Sequence, residues 1–155
     1  MKTQFSRITG WLIGSTLSLG MVAGAQASSD VAAQSGPEKA MVIVTSSSLQ
    51  TQGMAMVLAQ AMQKQGVALN ILLCDTAGDL AISGYESESA LAPKGMKPEG
   101  LLQMIMGDGA KVAVCALYLP NSKYKETDLR DGVTVAQPPL MAEMMRAPGV
   151  QVFHF

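Results

Sequence analysis

From Met41 onward, short β-branched apolar runs alternate with stretches in which apolar residues recur every three or four positions. Residues 41–44 (MVIV) form the first run, the mark of a strand buried on both faces. Thr45 to Ser48 offer helix N-caps. Met54, Val57, Leu58, Ala61 and Met62 then recur at helical spacing up to a C-capping Gly66, which predicts a helix with those residues facing the core. Residues 67–74 (VALNILLC) read as a second buried strand, 75–81 as a short helix, and 83–95 as a loop rich in Ser, Glu and Gly. Pro98 suits the first turn of a helix. Leu101, Leu102, Ile105 and Met106 fall on one face of it, and Gly107 and Gly109 stop it. Residues 111–118 (KVAVCALY) predict a third buried strand, 120–132 a polar loop with one helical turn, and 134–136 a short fourth strand. Pro138 and Pro139 open a last helix with Leu140, Met141, Met144 and Met145 inward. Gly149 ends it before a closing strand at 150–153. Strand and helix in alternation imply parallel strands joined by right-handed crossovers, hence a three-layer α/β/α domain over residues 41–155.

The start of the chain follows a different rule. Lys2 and Arg7 precede an uncharged apolar stretch over residues 8–25, and Ala25-Gln26-Ala27 supplies a small-x-small cleavage site before Ser28-Ser29-Asp30. That order is the pattern of a cleavable secretory signal over residues 1–27. The rival, an uncleaved membrane anchor, needs about 20 apolar residues; here Gly10, Gly14, Gly20, Gly24, Ser15, Thr16 and Ser18 interrupt the run. The expectation is export to the periplasm, with no stable membrane span after cleavage. Residues 28–40 read as a flexible lead-in.

Composition then removes several classes of function. Cleavage after Ala27 leaves 128 of the 155 residues, a usual size for one core. Nine basic residues then face twelve acidic ones, and the sole Trp, Trp11, leaves with the signal. A net charge of −3 provides no electrostatic footprint for nucleic acid or an anionic membrane.

In an open parallel sheet, sites gather where the chain leaves the carboxyl ends of strands. Residues 45–48, 74–79 and 115–125 are those segments, and two of them carry the only cysteines, Cys74 and Cys115. A free Cys at a strand end is often an inert small hydrophobe. The functional reading is a thiol nucleophile or sulfur carrier, which needs partial exposure and help toward thiolate; Lys123 and Lys125 are the nearest cations in sequence. His154, the only histidine, reads as a surface residue of the last strand, so a Cys–His hydrolase lacks its base. The hydroxyls of residues 45–51 are accounted for by capping rather than by a flavin. Of the 12 methionines, Met54, Met62, Met106, Met141 and Met145 read as core filler, leaving Met56, Met96 and Met104 for a soft metal; no metal and no cofactor is expected. Asp75, Asp79, Glu86 and Glu88 read as a solvated loop.

The segments MVIVTS, AQAMQKQGVALNILLC, LLQMIMGDGAKVAVCALYLPN, LRDGVTV and VQVFHF, in that order, resemble the DsrE/DsrF-like family of sulfur-relay proteins over nearly all of residues 41–155. The resemblance implies a five-stranded parallel sheet, assembly into homotrimers or homohexamers, and Cys115 as the cysteine that carries persulfide sulfur. The basic stretch that follows this cysteine in cytoplasmic members is replaced by Ala116-Leu-Tyr-Leu-Pro120. The expected function is therefore a periplasmic protein that carries or transfers sulfur, or exchanges thiol and disulfide, through Cys115, with a sulfur donor and an acceptor that the sequence does not name. The alternative is a non-catalytic oligomeric scaffold on the same fold. Chain order alone leaves two arrangements of the cysteines. Adjacent strands would put Cys74 within disulfide reach of Cys115, whereas an intervening strand would hold them near 10 Å apart. The resemblance favours adjacency.

Overall fold

A computed structural model describes residue 36 and residues 38–155. The signal reading over residues 1–27 lies outside the described residues, as does all of the lead-in but residues 36 and 38–40. Five strands form one all-parallel sheet: β1 (Lys39–Val44), β2 (Ala68–Leu73), β3 (Lys111–Val114), β4 (Val133–Val135) and β5 (Val150–His154), in the spatial order β4-β3-β2-β1-β5. Helices α1 (Leu49–Lys64), α2 (Pro98–Gly107) and α3 (Pro138–Arg146) supply the outer layers. None of these helices is long and apolar enough to cross a membrane.

β1 starts at Lys39, two residues before the first apolar run, because Lys39 already has strand partners on both sides, Ala68 and Val150. Side chains alternate across the sheet. Ala40, Val42 and Val44 of β1, Leu69, Ile71 and Leu73 of β2, and Val112 and Val114 of β3 are buried together with Ala55, Met56 and Ala59 of α1 and Leu101, Leu102 and Ile105 of α2. This is the core. Ser48 caps α1, its hydroxyl accepting from Thr51 N–H at 3.4 Å. At the other end Gln63 donates to the Ile105 and Asp108 carbonyls, which ties the end of α1 to that of α2.

Two helix faces depart from the sequence reading. In α1 the buried residues are Gln52, Gly53, Ala55, Met56 and Ala59, while Met54, Val57, Leu58 and Ala61 face outward, Met54 with 55% of its surface exposed. Both sets satisfy the helical period. Small residues win the inner face because the helix lies close to its neighbours: the Leu91 side chain occupies the space that a Cβ on Gly53 would need. Met56, a sequence candidate for a soft metal, is thereby a core residue. In α3 no residue is fully buried; Leu140 and Met145 are exposed, and Met141 and Met144 are half-buried. Cavities of about 360 and 250 Å³ separate α3 from the sheet face that carries Met41, Asn70 and Lys111, so the helix sits shallowly.

Candidate functional site

β2 and β3 are adjacent, with Leu73 and Val114 as register partners. Cys74 and Cys115 are the next residue on each strand and leave the sheet side by side. Their backbones remain in the ladder: Cys74 N–H donates to Val44 C=O at 2.9 Å and Cys115 N–H to Leu73 C=O at 2.7 Å. β3 ends at Val114, four residues earlier than its apolar run predicts. Cys115 C=O accepts from Tyr118 N–H at 2.9 Å, which closes a turn, and a short helix of the 3-10 type follows at Leu119–Asn121.

Both cysteines are free thiols and half-buried. Burial, then the neighbouring Cys115 sulfur, then the Asp75 carboxylate push the Cys74 thiol from its ordinary 9.0 up to about 12. Cys74 therefore stays protonated at neutral pH. Cys115, not Cys74, borders an open cleft of about 530 Å³, together with Asp75, Asp79, Tyr118, Asn121 and Ser122. Asp75, directly after Cys74, has a φ of 50°, in the left-handed region that non-glycine residues seldom occupy and that Asp tolerates better than most. It turns the chain sharply from β2 into the 3-10 helix Asp75–Ala81.

A second connection joins the two cysteine loops. Tyr118 donates its hydroxyl to Asp79 Oδ1, and its ring lies against Gly78. Burial and the Asp79 carboxylate hold the phenol protonated, well above its ordinary range. Asp79 is thus a half-buried acceptor rather than part of a solvated loop. The sequence reading missed both partners: Tyr118 sat at the end of an apolar run and Asp79 in a polar one. Gly78, between Ala77 and Asp79, was the one available signal of a close approach.

The remaining sequence candidates do not converge on the thiols. Lys123 and Lys125 are exposed and do not border the cleft; Lys123 Nζ stands 5.1 Å from the centre of the Tyr124 ring, and Lys125 uses its N–H to bond Asp128. His154 is exposed on β5, with Nε2 3.2 Å from Thr45 Oγ1. Among the described residues no three His, Cys, Asp or Glu side chains gather as a metal cluster would require.

No family profile and no curated protein matches the sequence. Solved structures do. The YchN protein from E. coli superposes with a TM-score of 0.56 at 19% identity, over 74% of this chain and 99% of that one. A protein of unknown function, MTH1491 from Methanobacterium thermoautotrophicum, gives 0.54 at 11% identity, over 76% and 98%. The α/β fold, with its five parallel strands, is that of these DsrE-like proteins.

Proposed function

We propose that this protein is an exported DsrE-like sulfur carrier in which Cys115 accepts sulfane sulfur as a persulfide. One observation carries the reading: of two adjoining strand-end thiols, Cys115 borders the open cleft and Cys74 does not. The thiolate is the species that attacks, and Cys115 is the sulfur that an incoming donor reaches. The cleft admits a small persulfide or polysulfide, or the tip of a partner's persulfidated cysteine. The sequence resemblance and the shared fold support the same chemistry. The signal pattern adds cleavage after Ala27 and a periplasmic location, and the resemblance adds a homotrimer or homohexamer.

The test is persulfide labelling of the reduced protein with a polysulfide donor. Wild type takes up label, and Cys115→Ser loses it while keeping its far-ultraviolet spectrum. Equal labelling of the two proteins would assign the chemistry elsewhere, in favour of the scaffold reading.

A further inference from the structure

Cys74 has a task of its own if Cys115 accepts sulfane sulfur, and the inference rests on that reading. Neighbouring strands lie about 4.8 Å apart, inside the window of about 4.4–6.8 Å between Cα atoms that a disulfide needs. The Leu73–Val114 register and the 2.7 Å bond from Cys115 N–H to Leu73 C=O hold the two cysteines level across that spacing. Each follows a residue whose side chain enters the core, so strand alternation turns both toward the opposite face. Tyr118 and Asp79 fasten the loop after Cys115 to the loop after Cys74, which keeps the pair together. Only Cys115 borders the cleft, so an incoming donor meets that sulfur first.

We propose that Cys74 is a resolving thiol: a persulfide on Cys115 is discharged within the molecule as hydrogen sulfide, leaving a Cys74–Cys115 disulfide. In the loading step the Cys115 thiolate attacks the outer sulfur of a small persulfide R–S–SH. The donor's S–S bond breaks, R–S⁻ departs, and Cys115 carries –S–SH. In the resolving step Cys74 passes its proton to the terminal sulfur of that group and, as the thiolate so formed, attacks the inner sulfur. The S–S bond to the terminal sulfur breaks, and H₂S leaves. The two cysteine sulfurs together lose two electrons and the sulfane sulfur gains them. An external dithiol reductant reopens the disulfide and is itself oxidised to a disulfide. The protein is then a two-thiol sulfane-sulfur reductase.

The experiment treats fully reduced protein with glutathione persulfide, with no other reductant present, and follows released sulfide and intact mass. Wild type releases one sulfide per chain and ends two hydrogens lighter. Cys74→Ser and Cys74→Ala stop at a stable adduct of one added sulfur and release sulfide only when dithiothreitol is supplied. Cys115→Ser takes up no sulfur and releases none. Sulfide release at the wild-type rate from both Cys74 variants, or a stable one-sulfur adduct on wild type, overturns the resolving role and leaves Cys115 as a simple carrier. A wild type that neither takes up sulfur nor releases sulfide overturns the carrier reading and the resolving role with it.

Discussion

The ring of Tyr118 lies against the backbone of Gly78, in the space that a side chain at residue 78 would fill. The ring cannot swing aside freely, because its hydroxyl is held by Asp79 on the same short helix. Gly78 is therefore chosen for its lack of a side chain. We expect Gly78→Ala to destabilise the fold by about 1–3 kcal/mol, as overpacked sites do. The penalty should shrink in a Tyr118→Leu background, where the clashing ring is gone. Urea denaturation of the single and double variants checks this, and an equal penalty in both backgrounds would dissociate Gly78 from Tyr118.

The state of Cys74 has a pH signature. Its folded value of about 12 lies above its ordinary 9.0, so between these values the native state retains a proton that the unfolded chain has lost. Stability supported by this thiol is complete below pH 9 and is lost as pH rises toward 12. Stability of the reduced protein should fall across that window more steeply in wild type than in Cys74→Ala. Iodoacetamide at pH 8 should modify Cys115 well before Cys74, as peptide mapping would register; the reverse order would contradict the division of roles.

Glu99 is a buried carboxylate in the first turn of α2, and Ser87 satisfies both of its oxygens, the backbone N–H at 3.0 Å and the hydroxyl at 2.6 Å. Burial pushes the carboxyl up, but the Ser87 hydrogen bonds and the Lys97 charge outweigh it, and the net shift is below the ordinary 4.5. A lowered folded value means that the native state releases its proton more readily. The stabilisation is present above pH 4.5 and is lost as pH falls through the folded value. Ser87→Ala should cost about 1–3 kcal/mol at neutral pH, since it removes a bond to a charged group. It should also flatten the acid limb of the stability curve. An unchanged acid limb would show that another carboxylate controls it.

The order and type of the elements were legible because parallel strands buried on both faces read as unbroken apolar runs, and Pro98, Pro138 and Gly66 mark helix boundaries. The inner face of α1 was not legible. Its apolar residues encircle the helix, and only the nearness of Leu91 to Gly53 decides that small residues face inward. The seat of α3 was misread for a related reason: its amphipathic pattern is sound, yet the helix leaves cavities beneath it. At the site, the two cysteines were visible as strand-end residues, whereas their adjacency depends on strand order. The Tyr118–Asp79 bond spans 39 residues and leaves no trace in any local pattern. Lys123 and Lys125 are near Cys115 along the chain, and the turns after Cys115 carry them away from the cleft.

β1 is flanked by β2 on one side and by β5 on the other, and the bond between Thr45 and His154 crosses 109 residues of sequence. A chain emerging from its amino end can pair β1 with β2 early, but the other edge of β1 stays open until residues beyond Val150 arrive. Long-range pairings of this kind slow folding, because a large loop must close before any contact rewards it. Until then the growing chain has an unsatisfied row of backbone donors and acceptors on β1, a natural hold point for a holdase and a hazard for self-pairing. Topology alone thus leaves the sheet one strand short, with β1 open on one edge, until β5 has been delivered.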